Sequence, residues 1–287
     1  MTRQEFAHWQ NKQTNNVSID ILPSAQNWLL LLTFDGAFYH GWQVQPDIPT
    51  IQDTLQKSIQ RLTGETVRVN GAGRTDSGVH ALNYTANFNS TAKNILTAEK
   101  WYSALNAVLP DDIVVKYVQS VPADFHARHN AIGKRYRYMI CSQNYNSPFT
   151  KNKSWHVGQT LDLNIMRQAA EILKGKHDFS AFRSSNCSSL NTVKDIREIS
   201  IEKSHFKNSI IQIEIEANSF LQHMVRIITG TLVEISQARI SFADVKKALN
   251  NGDRNLVGCT APAHGLYSLK VIYPDGLVNW PKKVIDN

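Results

Sequence analysis

Cysteine is scarce. Among 287 residues only Cys141, Cys187 and Cys259 carry a thiol, and they lie far apart. An odd, scattered set excludes a paired disulfide framework and any Cys-x-x-Cys metal or redox motif, and it points to a reducing compartment. Long apolar runs are missing too. Trp28 to Leu32 is the longest early one, far short of the roughly 20 residues that span a bilayer. Met1 to Asn27 has no apolar core segment and scatters Arg3, Glu5, Lys12 and Asp20. No secretory signal is therefore expected, and a cytoplasmic location is. The same stretch is rich in Gln and Asn and reads as a flexible arm. Charged residues make up only 19% of the chain.

What is present is a globular composition, with 42% hydrophobic residues, 14 Gly and 9 Pro. At about 150 residues per domain the length suggests two domains, and cores of that size need no disulfide or metal staple. Lys and Arg number 31 against 24 Asp and Glu, a net charge of +7. That excess suits a polyanionic partner without specifying one.

Hydrophobic periodicity gives the order of elements. Trp28 to Phe34 reads as a strand ended by Asp35-Gly36. Thr50 caps a helix carrying Ile51, Leu55, Ile59 and Leu62, which Gly64 stops. Strands are expected at Thr66 to Val69 and His80 to Phe88. A helix capped by Thr97 carries Trp101, Leu105 and Val108, and a strand follows at Ile113 to Val118. The second half repeats this order. It has a strand at Ile132 to Cys141, a helix at Leu161 to Leu173 and a hairpin of Val193 to Glu202 with Ser209 to Ala217. A long apolar helix at Phe220 to Ser236, a shorter one at Phe242 to Leu249 and a last strand at Gly265 to Tyr273 complete it. Two β-α-β-β-α-β passes suit an α+β fold of two ferredoxin-like units, with helices on one face of each sheet. The join is expected near Pro122.

The most unusual stretch is Asn70-Gly71-Ala72-Gly73-Arg74-Thr75-Asp76-Ser77-Gly78-Val79-His80. It fails as a dinucleotide fingerprint, because Asp76 stands where a third glycine belongs and a strand follows instead of a helix. It fails as a P-loop, because Gly78 is followed by Val79. What remains is a tight loop between strands that presents one arginine and one aspartate. An arginine two residues away can hold that carboxylate ionised. The plain alternative is a turn in which Asp76 bonds local N–H groups.

Two further clusters stand out. From Phe125 to Tyr138 the chain holds Arg128, Lys134, Arg135 and Arg137 with no acid. Cations interleaved with aromatic rings suit RNA. Strand alternation offers a simpler account, with Arg135 and Arg137 on one face and Tyr136 and Tyr138 on the other. Arg226 lies within the apolar run Phe220 to Ile228. Either its stem covers apolar surface or it is aimed at a carboxylate or phosphate. His126 and His129 lack a zinc-binding pattern, and no G-x-S-x-G elbow occurs.

Taken together, these motifs resemble the TruA family of tRNA pseudouridine synthases. Gly73-Arg74-Thr75-Asp76-Ser77-Gly78-Val79-His80 is similar to that family's catalytic motif. Phe34-Asp35-Gly36 with Gly41-Trp42-Gln43-Val44-Gln45-Pro46 resembles its first motif. Asp124 to Arg128 with Lys134 to Tyr138 resembles its central one. Gly175 to Phe179, His223 to Arg226 and Thr260 to Tyr267 fit as well. The resemblance spans about Asn27 to Pro274. Phe34, Gln222, Ile227 and Ser268 depart from residues common in the family.

The resemblance implies two ferredoxin-like halves joined into one mixed, mainly antiparallel sheet, with helices on one face and a central active-site cleft. It sets residues 1–26 as an arm, 27–122 and 123–274 as the halves and 275–287 as a tail. It implies isomerisation of uridine to pseudouridine at positions 38, 39 and 40 of the tRNA anticodon stem-loop, by a homodimer with no metal, nucleotide cofactor or membrane. Asp76 matches the catalytic aspartate, Arg74 and Arg226 the basic residues near it and Tyr136 the tyrosine that stacks on the uracil. Leu266 matches an apolar pocket residue, and His126 and Arg128 match positions that help hold RNA. A passive RNA binder with RRM-like sheets is the main competing class. It has no use for an acid in a glycine-rich loop, which repels phosphate. A phosphoesterase on His80 or His126 fits less well, because neither is followed two residues on by Ser or Thr.

Overall fold

The computed structural model describes residues 25–92, 97–204 and 207–285. The expected N-terminal arm lies almost wholly outside the described residues. In the first half, β1 (Gln26–Phe34), β3 (His80–Ser90) and β4 (Ile113–Val121) carry two helices, α1 (Ile51–Thr63) and α2 (Ala98–Val108). The helix ends follow their caps. The Thr50 side chain accepts from the Asp53 N–H, and Gly64 closes α1 in the left-handed region at φ 75°. Thr97 accepts from the Lys100 N–H at the start of α2.

One expected strand moves. Residues 65–69 form no strand, and the second strand of this half is the two-residue β2 (Asn70–Gly71). The cause lies in α1. Gln52 donates to the Val69 carbonyl at 2.7 Å, and Gln56 accepts from the Val69 N–H at 3.1 Å. Side chains thus take the backbone groups that a strand partner would need.

The second half contains β5 (Gly133–Cys141), the short β6 (Trp155–His156), α3 (Leu163–Leu173), β7 (Gly175–Asp178) and the hairpin of β8 (Val193–Ser204) and β9 (Lys207–Ala217). It ends with α4 (Met224–Ser236), α5 (Phe242–Asn251) and β10 (Leu266–Ile272), and α6 (Lys282–Ile285) follows. The periodicity missed β6 and β7, which are too short to show a pattern. It also began the long helix four residues early. His223 sits in the left-handed region at φ 65°, so α4 starts only at Met224.

All ten strands join one sheet in the order β4-β1-β3-β10-β5-β9-β8-β7, with β2 on β3 and β6 on β5. The halves meet where β10 runs parallel to β3, pairing Tyr267 with His80 and Ser268 with Ala81. β6 also runs parallel to β5, and the remaining pairings are antiparallel. The shortness of β2 makes the join possible. It covers β3 only at Ala86 and Asn87, leaving the end at His80 open to β10. Within each half the order is that of a ferredoxin-like unit, β4-β1-β3-β2 and β10-β5-β9-β8.

Helices cover one face. Leu55, Ile59, Trp101 and Leu105 pack on Leu30, Leu32 and Phe88 in the first half. Met166, Leu173, Ile228 and Val245 pack on Ile140, Ile213 and Ile215 in the second. On the opposite face Leu29, Val121, Phe125, Val271 and Tyr273 form a smaller cluster under Leu277 and Trp280. No helix among the described residues is long and apolar enough to cross a membrane.

Candidate active site

A cleft of about 550 Å³ opens where the halves meet. Asp76, Arg74 and Val79 line it from the first half, and Tyr136, Arg226 and Leu266 from the second. Asp76 stands on the glycine-rich loop before β3, and the segment after β1 forms the bed under that loop. Trp42 N–H donates to the Thr75 carbonyl at 3.2 Å, and Gly78 N–H donates to the Tyr39 carbonyl at 3.2 Å. Gly41 is required at their closest approach. Its φ is +83°, and a Cβ there would lie 2.2 Å from the Thr75 oxygen. From below, the buried Tyr84 donates its hydroxyl to the Gly73 carbonyl, and its ring lies tilted against Trp42 with centroids 4.5 Å apart. The Phe-Asp-Gly and Gly-Trp-Gln motifs therefore shape the loop instead of touching the cleft.

Arg226 comes from the first turn of α4. Its Nη1 donates to Asp76 Oδ2 at 2.7 Å, and its Nε donates to the Ala261 carbonyl at 2.7 Å. The Ala261 N–H returns a bond to the Arg226 carbonyl at 3.2 Å. This seat depends on Gly230 one turn along α4, where a Cβ would lie 2.0 Å from the Cys259 oxygen. A bare helix surface lets the 258–261 segment lie directly against it. The guanidinium is thus fixed before any ligand arrives, and its fork serves two acceptors at once.

Of the two arginines expected to balance Asp76, only Arg226 does so. Arg74 is exposed at the cleft edge and makes no ion pair among the described residues. The expectation that it neutralises its neighbour is corrected. An exposed cation two residues away gains little from pairing in water, whereas the half-buried Arg226 is already oriented.

Tyr136 and Tyr138 lie on the helix side of β5. Tyr136 meets Phe220 edge to face, with centroids 5.1 Å apart. Burial pushes its hydroxyl up to about 12, and the nearby charge of Asp76 adds to that. Tyr138 is fully buried and donates to the Pro262 carbonyl at 2.6 Å. On the opposite face Arg135 and Arg137 pair with Glu198, Glu214 and Glu216. Strand alternation therefore accounts for those two arginines, and they take no part in the cleft. Arg128 lines the cleft, but His126 does not. The His126 ring packs against His129 at 4.2 Å, and its Nδ1 accepts from the Arg128 N–H at 3.1 Å.

Sequence reasoning gave no role to His223, whose Nε2 lies 3.4 Å from Asp76 Oδ2. Burial lowers its pKa, Asp76 opposing that and Arg226 reinforcing it. The available signal was its i, i+3 spacing from Arg226, which places both on one side of a helical turn. Lys134, from the cationic cluster of the sequence, also lines the cleft, as do Lys194 and Phe220, which had been given no role. Among the described residues no group of three or more His, Cys, Asp or Glu could hold a metal ion.

A carboxylate on a glycine-rich loop, clamped by a guanidinium and faced by a tyrosine in a cleft with several cations, is an arrangement for acid–base or nucleophilic chemistry on an anionic substrate. A family model described as tRNA pseudouridine synthase matches residues 31–130 and 169–274. The chain is 45% identical over 248 residues to a protein named tRNA pseudouridine synthase A from Thermoanaerobacter sp. (strain X514), covering 86% of this chain and 100% of that one. Proteins of the same name from Acetivibrio thermocellus and Geotalea daltonii are 43% and 39% identical, again over 86% of this chain and 100% of theirs. This chain belongs to the tRNA pseudouridine synthase family. A solved Cbf5–Nop10–Gar1 complex also matches, at 11% identity and TM-score 0.31, covering 86% of this chain and 59% of that one. A likeness that low carries no argument.

Proposed function

We propose that this protein isomerises uridine to pseudouridine at positions 38, 39 and 40 of the tRNA anticodon stem-loop, with Asp76 as its catalytic carboxylate. The observation that carries the reading is the single carboxylate that lines the cleft among the described residues, held by Arg226 beside Tyr136 and Leu266. Family membership supports the reaction class, and the relatives' name supports tRNA as substrate.

The reaction breaks the N1–C1′ bond and forms a C5–C1′ bond. C5 gives up its hydrogen as a proton and N1 gains one, so the atoms balance with no outside group. Asp76 acts as nucleophile or base on the target nucleotide. Arg226 balances its charge and fixes its direction. A stacked or paired uridine cannot reach this carboxylate, and flipping it out costs a few kcal/mol. Stacking of uracil on the Tyr136 ring offsets part of that cost. The hydroxyl of Tyr136 stays protonated at any working pH, so it adds no charge against Asp76. Leu266 and Val79 give the freed base an apolar wall to turn against. Arg74 and Arg128 at the cleft meet backbone phosphates.

The same reading takes residues 27–122 and 123–274 as the two halves, the cytoplasm as the location and a homodimer as the working form. Tritium release tests the reaction directly. An unmodified tRNA transcript labelled at uracil C5, with uridine at positions 38 to 40, loses tritium only when C5 is joined to C1′. Wild type is expected to release it, and Asp76→Asn is expected to bind the tRNA without release. Tight binding with no release from wild type would instead favour a passive RNA binder.

A further inference from the structure

Two lysines in the cleft are not used by the chemistry at Asp76. Lys134 stands on β5 and Lys194 on β8. Lys194 is only 7% exposed. Lys134 is half-buried as a residue, and its ammonium is drawn out of bulk water. Burial lowers both groups, and the charge of Arg128 helps bring Lys134 to about 8. An ammonium partly drawn out of water gains from an anionic partner. Among the described residues neither lysine has a carboxylate within 4 Å or a hydrogen-bond acceptor.

Strand register fixes their relation. Lys134 faces Ala217 on β9, and Ala217 faces Ile196 on β8. Lys194 precedes Ile196 by two residues, so all four share the helix side of the sheet. The lysines are two strands apart, about 10 Å across the sheet. The Lys134 ammonium leans toward the first half, where a Cβ on Gly73 would lie 2.6 Å from its Nζ. That direction is away from β8, so the two ammoniums do not converge. A single phosphate, taking charged hydrogen bonds of about 2.8 Å, cannot meet both. Cys187 lies near Lys194, and Ser188 and Ser189 line the same cleft, small residues with no acid.

We propose that Lys134 and Lys194 each seat a different backbone phosphate of the RNA strand that delivers its nucleotide to Asp76, a two-point grip across the cleft. The proposal rests on the RNA reading above. Each phosphate supplies the anion that its ammonium lacks within the protein. A lysine accepts phosphate as a point charge from many directions. It therefore holds a strand without reading its bases, which suits an enzyme that meets different sequences around its target.

The test uses the full chain and a C5-labelled anticodon-arm RNA. Lys134→Gln, Lys194→Gln, the double variant and the two Lys→Arg variants are compared with wild type. Affinity is measured over a salt series, and single-turnover tritium release at saturating RNA. Each Gln variant is expected to flatten the slope of log affinity against log salt by about 0.7 to 0.9, and the double by about twice that. Arginine is expected to restore the slope. The saturated rate should change less than affinity does. A thermal midpoint for Lys194→Gln close to wild type is also expected, because the ammonium pairs with no group among the described residues. Unchanged salt slopes in both single Gln variants would overturn the grip. So would a loss of thermal stability in Lys194→Gln that alone accounts for weaker binding. Slopes that respond to the lysines without any tritium release from wild type would uphold the grip and sink the isomerase reading. Absence of RNA binding by wild type would overturn both.

Discussion

Asp76 and Arg226 are 150 residues apart in the chain and 2.7 Å apart in the fold. One comes from a loop of the first half and the other from a helix of the second. The ion pair therefore forms only when β10 docks against β3 and brings the halves together. Arg226 reaches Asp76 with one arm of its guanidinium while another nitrogen is held by Ala261. This arrangement is set in advance, and preorganised charge is what a water-poor site uses best.

Arg226→Lys tests that fork. A single ammonium cannot span the Ala261 carbonyl and the Asp76 carboxylate in the same geometry. Single-turnover tritium release is expected to fall by about 100- to 1,000-fold, the scale for losing one preorganised charge contact. RNA affinity should fall far less. A rate within tenfold of wild type would show that charge alone matters and the fork does not.

Tyr136 separates ring from hydroxyl. Its ring meets Phe220 edge to face, which leaves a face for a base. Tyr136→Phe keeps that face and is expected to retain most activity. Tyr136→Ala removes it, and stacking is worth about 1 to 3 kcal/mol per base. Affinity for the RNA should then weaken by roughly five- to 150-fold. Equal losses in both variants would assign the function to the hydroxyl.

Gly41 tests the bed under the loop. It combines a left-handed backbone with a Cβ position 2.2 Å from the Thr75 oxygen. Gly41→Ala must push the loop up or distort its own turn, at about 1 to 3 kcal/mol. Since the loop carries Asp76, turnover is expected to drop more steeply than thermal stability. Melting curves and tritium release on the same preparation check this. A variant with a lower melting midpoint and full turnover would show that the loop keeps its shape without the bed.

Much of this architecture was legible in sequence, because α1, α2, α3 and α5 begin at side-chain caps and strands such as β9 alternate. Thr50, Gly64 and Thr97 marked their helix ends correctly. The losses have particular causes. Val69 reads as strand but gives its backbone to Gln52 and Gln56. Phe220 to Gln222 are apolar or neutral like the helix after them, so nothing in the pattern showed that His223 would turn left-handed and delay α4. Of the site, Asp76, Arg226 and Tyr136 were found by motif. The choice of Arg226 over Arg74 as partner for Asp76 needed the fold, because proximity in sequence favoured Arg74. Lys194 left a faint signal, a lysine two residues before Ile196 on what alternation makes a buried face.

His80 governs a last expectation, the response of stability to acid. It is 1% exposed, stacked on Tyr267 at 4.8 Å and tied to the chain at both nitrogens. Nδ1 lies 3.1 Å from the Gly36 backbone nitrogen and 2.9 Å from Asp35 Oδ1, and Nε2 lies 2.9 Å from the Asn152 carbonyl oxygen. Burial lowers its pKa below the ordinary 6.5, and Lys153 adds to this against the opposing pull of Asp35. The native state therefore binds fewer protons than the unfolded chain just below that value. Stability is full above pH 6.5 and declines as pH falls toward the lowered native pKa. One proton sets a limiting slope of about 1.4 kcal/mol per pH unit. His126, His223 and His264 are shifted the same way and act with the same sign. Chemical denaturation of wild type between about pH 7.5 and pH 5 should show this decline. His80→Gln should be less stable at neutral pH, having lost the stacked ring, yet flatter across the same range. A wild-type stability that holds constant down to about pH 5 would mean that the ring takes its proton without cost, and the neutral form of His80 would then have no part in joining the start of β3 to β10.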